Sequence, residues 1–326
     1  METIDNQLSI STNVYKPFRD FLREHIRSFG WIFPPKPTQN QLCNLVNRLK
    51  RLKGMNDPIA VIGVSEIKGW FQSIWSCSVG NSIAPINIFN DDKICDIILS
   101  YCFKLPNKNY ITITDYQDLF RQMRRWLEIN KYVVSIFKPL LAKWILQKYA
   151  RPDSVVWDPC AGFGGRLLGF LATCPKGRYI ACEPNGATWK ELTNLISIVK
   201  DKNVEIHQTA LENFTFQESF ADLVFTCPPY RDKEIYCRDS NQAYIRYATV
   251  QAWESDFMGK LMSQAYKSLK RGGRAIIVFD QKNSISCIRA AIRVGFIVQP
   301  SDNIIKIGTF IKPKPSIETI LCFLKP

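Results

Sequence analysis

The segment Val155-Val156-Trp157-Asp158-Pro159-Cys160-Ala161-Gly162-Phe163-Gly164-Gly165-Arg166 decides the fold. A short β-branched and aromatic run ends in an acid and a proline, and three glycines then lead into apolar residues at helical spacing. Glycines at such a junction let the backbone turn tightly and approach a ligand without a Cβ in the way, while the helix that follows offers unsatisfied N–H groups. One strand later, Arg178 to Cys182 runs straight into Glu183, about twenty residues after the loop, where a carboxylate can accept hydrogen bonds from both hydroxyls of a ribose. Loop and acid together describe a site for a nucleoside-containing cofactor.

Outward from this segment, strands and helices alternate. Ser154–Trp157, Arg178–Cys182, Val204–His207, Leu223–Thr226 and Ala275–Phe279 read as strands, with helices near 165–173, 187–200, 252–270 and 284–294 between them. The pattern predicts an α/β fold with a parallel sheet covered on both faces by helices. Asn303–Phe310 and Ile317–Leu324 read as a terminal hairpin.

The most specific signal is Asp222-Leu223-Val224-Phe225-Thr226-Cys227-Pro228-Pro229-Tyr230. Two prolines stiffen the turn after a buried strand, and their missing N–H groups leave carbonyl oxygens projecting as acceptors. A rigid acceptor beside a flat ring suits a base flipped out of its stack: the Pro228 carbonyl and the side chain at 227 would take the amino protons while Tyr230 stacks on the base.

These residues resemble motif IV of the DNA amino-methyltransferases, the adenine-N6 and cytosine-N4 enzymes, whose pattern is Asp, Asn or Ser followed by Pro-Pro and an aromatic residue. The resemblance covers roughly the last 190 residues: Phe137-Lys138-Pro139 is similar to the family's motif X, Asp158 to Gly165 to its Asp-Pro-x-x-Gly-x-Gly motif I, and Glu183 to its acidic motif. Leu269-Lys270-Arg271-Gly272-Gly273-Arg274 is similar to the turn before the fifth strand of many methyltransferases. The resemblance implies a Rossmann-like class I methyltransferase sheet and S-adenosylmethionine as cofactor. Phe137, Lys138, Pro139, Asp158, Cys160, Ala161, Gly162, Gly164 and Glu183 would then form its site, with Cys227, Pro228, Pro229 and Tyr230 as the catalytic turn. The incomplete six-residue glycine fingerprint argues against a dinucleotide, the competing ligand of such a loop.

Position 227 departs from the family, because cysteine is a weak acceptor. With Thr226 before it, the turn looks most like the Thr-Ser-Pro-Pro-Tyr version, which favours cytosine N4 over adenine N6. A thiolate nucleophile of the carbon-5 cytosine type would stand after a proline, whereas Cys227 precedes both. Relatives bind the cofactor's adenine at the end of the third strand, near Thr209 and Ala210, but no acid stands at that point. The expected activity is site-specific methylation of double-stranded DNA with base flipping, for protection or marking as in restriction-modification. RNA methylation and a catalytically lost nucleic-acid binder are the competing readings.

The 326 residues carry a formal net charge of +14, most of it after residue 130, where 27 basic residues face 17 acidic ones. Such an excess fits a polyanionic partner. Residues 231–249 interleave Arg231, Lys233, Arg238 and Arg246 with Tyr236, Tyr244 and Tyr247, the composition of a strand-holding loop or of an ordinary surface loop. That loop is too short for target recognition, which by elimination falls to a mainly helical N-terminal domain of residues 1–130, with the methyltransferase domain at 131–326. Within the former, helices are expected over 15–29, ended by Gly30 and the following prolines, over 39–53 and over 116–129. Arg121, Arg124 and Arg125 would share one face of the last of these. The stretch 81–114 fits only short elements. Eleven cysteines without CxxC pairs and two histidines give no metal site. The opening residues lack a leader pattern and no stretch is long and apolar enough to span a membrane, so a cytoplasmic protein with reduced thiols is expected.

Overall fold

The computed structural model describes residues 12–52, 61–103, 116–200, 203–231, 233–300, 304–307 and 316–326. In chain order the main helices are α1 (Thr12–Phe29), α2 (Gln39–Arg51), α3 (Val64–Trp70), α4 (Asp92–Phe103), α5 (Tyr116–Ile129), α6 (Pro139–Tyr149), α7 (Gly165–Thr173), α8 (Gly186–Val199), α9 (Met258–Ser268) and α10 (Gln281–Arg293). The main strands are β1 (Val155–Asp158), β2 (Arg178–Cys182), β3 (Val204–His207), β4 (Ala221–Thr226), β5 (Leu269–Asp280), β6 (Ile297–Gln299), β7 (Ile304–Ile307) and β8 (Ser316–Leu324).

Strands β3-β2-β1-β4-β5 pair in parallel, and β8 lies antiparallel between β5 and β6. This is the expected Rossmann-like α/β sheet, with its order reversing at β1, the point where open α/β sheets hold ligands beyond the strands' carboxyl ends. Of the expected terminal hairpin, β7 pairs antiparallel with β8, while residues 303 and 308–315 lie outside the described residues. The expected turn at 269–274 is instead drawn into β5: the register on β4 slips between Ala221 and Leu223, and Gly272, at φ +76°, bonds through its N–H to the Lys325 carbonyl. The glycine pair thus forms an irregularity within the strand.

The chain divides into two compact units, and not by one cut near 130. One contains the described residues up to Pro34 together with Trp75–Val134, and the other Pro35–Ile74 with Ser135–Pro326. Sequence proximity placed Pro35–Ile74 with the N-terminal helices, but packing places it with the sheet. Helix α2 opens on a capping box between Thr38 and Gln41 and buries Leu42, Leu45, Val46 and Leu49 against α7 and α8, leaving Arg48, Lys50 and Arg51 exposed. Trp70 of α3 donates its indole N–H to the Glu191 carbonyl of α8 at 2.9 Å.

The first unit is mainly helical. Its core joins Ile26 of α1, Cys95, Ile98, Leu99 and Cys102 of α4, and Leu119, Phe120, Met123 and Leu127 of α5. Of the stretch 81–114, which reads as uninformative in the sequence, Pro85–Asn90 forms a 3₁₀ helix and Asp92–Phe103 forms α4, while 104–114 lie outside the described residues. Arg121 and Arg125 are exposed as expected, but Arg124 turns inward, 7% exposed, and donates to the Ile32 carbonyl at 2.7 Å. Burial lowers its pKa to about 10. Among the described residues, no helix is long and apolar enough to cross a membrane.

Candidate active site

Asp158 ends β1 with a side chain that is 0% exposed. Its Oδ2 accepts from Arg166 Nε at 2.7 Å and the Tyr179 hydroxyl at 2.6 Å, and its Oδ1 from the Thr226 hydroxyl at 2.7 Å and the Cys160 N–H at 3.2 Å. One carboxylate therefore ties β1 to β2, β4 and the first turn of α7. Arg166 also donates to the Cys160 carbonyl. Burial opposes the guanidinium charge, yet Asp158 beside it holds its pKa above the ordinary value. Burial and then Asp158 push the Tyr179 hydroxyl up, so it remains a donor.

This lattice fixes the glycine loop. Gly162 has φ +55° and Gly164 φ +70° at the N-cap of α7, a backbone region that glycine enters without strain. Gly165 is demanded by close approach: a Cβ there would lie 1.8 Å from the Phe137 carbonyl oxygen. The Phe137 ring in turn meets Phe225 edge-on, centroids 5.6 Å apart, and lies 5.2 Å from the Arg166 guanidinium.

The loop opens onto a cavity of about 280 Å³. One part of its wall comprises Cys160, Ala161, Gly162 and Glu183, another Cys227, Pro228, Pro229 and Tyr230, and Phe137 and Lys138 also line it. Ten of the thirteen expected site residues therefore meet around one space. The other three do not line it: Asp158 is consumed by its four hydrogen bonds, Pro139 occupies the first turn of α6, and the space beside Gly164 is taken by Phe71 and Leu192.

Glu183 is buried and takes the Gly162 N–H on Oε2 and the Asn185 N–H on Oε1, each at 2.9 Å. Desolvation outweighs these two bonds and raises its pKa to about 7. Each oxygen keeps a further lone pair, so the carboxylate can still accept from two hydroxyls. Tyr230 packs against Phe279 at 5.8 Å, and the Lys233 ammonium stands 4.8 Å from its ring centre.

Two sets of lining residues escaped the sequence reading. Glu212, two residues beyond the position searched for an acid, lines the cavity from the 3₁₀ turn Leu211–Asn213. It accepts from the Tyr247 hydroxyl at 2.7 Å and pairs with Arg246 at 3.6 Å. The signal was an acid inside the loop after β3, and the 3₁₀ turn is what carries it forward. Glu234, Tyr236 and Asn241–Ala243 also line the cavity. Glu234 accepts from the Ser135 N–H at 3.0 Å and hydroxyl at 2.7 Å, and from the Tyr236 hydroxyl. The Tyr236 carbonyl takes the Asn185 side chain at 3.4 Å, and its ring lies 6.0 Å from that of Phe163. Much of the segment expected to hold a nucleic-acid strand is thus fastened over the cavity. Among the described residues no cluster of three groups could hold a metal ion, and all eleven cysteines are free thiols.

No protein-family profile and no curated protein matches this chain. Solved structures similar to it include a methyltransferase from Pyrococcus furiosus, 18% identical over 57% of this chain and 82% of that one, with a TM-score of 0.42. A precorrin-6y C5,15-methyltransferase from Geobacter metallireducens is 15% identical over 59% and 90%, at 0.42. TYW2 from Pyrococcus horikoshii in complex with MeSAdo is 19% identical over 59% and 65%, at 0.40. Likenesses this distant add nothing to what strand order and site geometry say.

Proposed function

We propose that the chain is an S-adenosylmethionine-dependent methyltransferase acting on the exocyclic amino group of a base in double-stranded DNA, cytosine N4 in preference to adenine N6. The observation that carries this reading is the meeting of the Gly162 loop with Glu183, and of the Cys227–Tyr230 turn, around one cavity at the switch point of the sheet. The pieces fit the cofactor: Glu183 would accept the ribose hydroxyls, Gly162 lets the backbone approach, and Ala210–Glu212 would flank the adenine. When bound, the cofactor supplies a methyl group already activated on a sulfonium.

The chain's own work is then orientation and exclusion of water. The Pro228 carbonyl would accept an amino proton of the flipped base and turn the nitrogen lone pair toward the methyl group, and Tyr230 would stack against the ring. Cys227 adds little as an acceptor. The net charge of +14 supports a nucleic-acid partner.

Nucleoside mass spectrometry of digested, previously unmethylated DNA tests the reading, after incubation with the protein and S-adenosylmethionine. N4-methylcytosine or N6-methyladenine, absent with Pro228→Ala or Tyr230→Ala, is the expected result. A blank on DNA with methylated nucleosides from RNA would move the substrate to RNA. A blank on both, with cofactor still bound, would leave a nucleic-acid binder without catalysis.

A further inference from the structure

Among the described residues, the carboxylates lining the cavity are those of Glu183, Glu212 and Glu234. Glu212 is paired with Arg246, and Glu183 stands where the ribose hydroxyls are expected. Glu234 differs from both. It is 9% exposed, accepts three hydrogen bonds, and has no basic side chain within ion-pair distance among the described residues. A buried carboxylate without a counter-charge is costly, which favours a cation in the cavity beside it. S-adenosylmethionine carries such a group, the α-ammonium at the end of its methionine tail. Asp158, the acid expected to serve the cofactor at the glycine loop, has both oxygens committed inside the fold.

Glu234 belongs to the cofactor's side of the cavity. Its Oε1 takes the Ser135 N–H at 3.0 Å and the Ser135 hydroxyl at 2.7 Å, and its Oε2 takes the Tyr236 hydroxyl. The Tyr236 carbonyl receives Asn185 Nδ2 at 3.4 Å, and the Asn185 N–H bonds to Glu183 at 2.9 Å. A chain of bonds thus runs from the ribose acid to Glu234 and ends on Ser135. That serine is exposed and lines the cavity two residues before Phe137, whose carbonyl abuts Gly165 of the glycine loop. Its exposure keeps the pair within reach of a ligand. Having given its proton to Glu234, the Ser135 oxygen has lone pairs left to accept with, and Glu234 Oε2 keeps one as well.

We propose that the Ser135 hydroxyl and the Glu234 carboxylate together hold the α-ammonium of S-adenosylmethionine. The hydroxyl oxygen and Oε2 accept its protons, and Glu234 supplies the counter-charge. This rests on the S-adenosylmethionine reading above and not on the choice of methyl acceptor. With Glu183 on the ribose, it grips the cofactor on either side of the sulfonium, which is what in-line transfer of the methyl group requires.

Calorimetry on the full-length protein tests this by comparing S-adenosylhomocysteine with its deaminated analogue, in which hydrogen replaces the amino group. The wild type should bind the parent roughly tenfold to a hundredfold more tightly, the range of a charge-assisted hydrogen bond. Glu234→Gln should remove most of that preference by weakening the parent, leaving the Kd of the deaminated analogue within about twofold. Ser135→Ala should reduce the preference in the same way, and it carries the test should Glu234→Gln fail to fold. Because Glu234 also anchors the segment after the Cys227–Tyr230 turn, a purely structural role would weaken both ligands equally, and that result would overturn the proposal. So would equal wild-type affinities for the two ligands. A wild type that binds neither S-adenosylhomocysteine nor S-adenosylmethionine would sink the cofactor reading, and this assignment with it.

Discussion

Replacing Tyr179 by Phe removes one hydroxyl from the lattice around Asp158 and almost no volume. The lost bond is 2.6 Å long, both residues are buried, and its acceptor oxygen keeps only Arg166 Nε at 2.7 Å. A hydrogen bond to a charged group contributes about 1.5–3 kcal/mol, so a loss of about 2 kcal/mol is expected. For a body of this size that corresponds to a fall in Tm of about 4–8 °C. Urea unfolding followed by tryptophan fluorescence, with a thermal melt alongside, measures it. Tyr179 does not line the cavity, so cofactor affinity of the folded variant should change by less than about twofold. Thr226→Val, which leaves the other carboxylate oxygen only the longer bond from the Cys160 N–H, should cost a similar amount and couple to Tyr179→Phe in a double-mutant cycle. A loss below about 0.5 kcal/mol would refute the assignment of Asp158 as a structural hub. So would weakened cofactor binding at unchanged stability, which would return Asp158 to the binding site.

Four further outcomes follow, three from the site and one from a helix outside it. Glu183 has its pKa raised from 4.5 to about 7, so its folded form holds the proton more tightly than the unfolded chain. Its contribution to stability is therefore full below pH 4.5 and lost as pH rises through 7, and Glu183→Gln should flatten that slope in pH-dependent urea unfolding. Cofactor affinity should move the opposite way, rising as the carboxylate ionises and accepts the ribose hydroxyls; calorimetry on the wild type between pH 6 and 8 would show a flat profile if Glu183 is not the ligand. Gly165→Ala should abolish soluble expression or cost more than about 2 kcal/mol, because its Cβ has no room beside the Phe137 carbonyl. Gly259→Ala, near the start of α9 with open space around it, should instead stabilise by about 0.5–1 kcal/mol in the same melt.

The sheet was legible because each central strand is a short, nearly continuous apolar run and the glycine loop punctuates the first strand sharply. The site was legible where chemistry sits in contiguous residues: Gly162 with Glu183, and Cys227 through Tyr230. It failed where geometry carries a residue away from its sequence position, as with Glu212 on its 3₁₀ turn and Gln242 inside a segment read as a strand-holding or a surface loop. Helix α4 was hidden because half of its buried stripe is cysteine, Cys95 and Cys102 flanking Ile98 and Leu99, at i, i+3, i+4 and i+7. Helix α6 was hidden for the opposite reason. Leu140, Leu141, Ala142, Ile145 and Leu146 are all buried, with Lys143 among them, so the helix shows no polar face to mark its period.

The inclusion of α2 in the sheet-bearing unit sets a timetable for the nascent chain. Its leucine face packs on α7 and α8, which begin more than a hundred residues downstream, at Gly165 and Gly186. At about 5–20 residues synthesised per second, that face leaves the ribosome roughly ten seconds ahead of its partners. During this interval Leu42, Leu45, Val46 and Leu49 lack α7 and α8, with Leu45 alone meeting an early neighbour at Gly63, and α4 and α5, translated in between, belong to the other unit. A slow codon stretch placed between residues 52 and 165 would lengthen that exposure and lower the soluble yield without altering a single side chain.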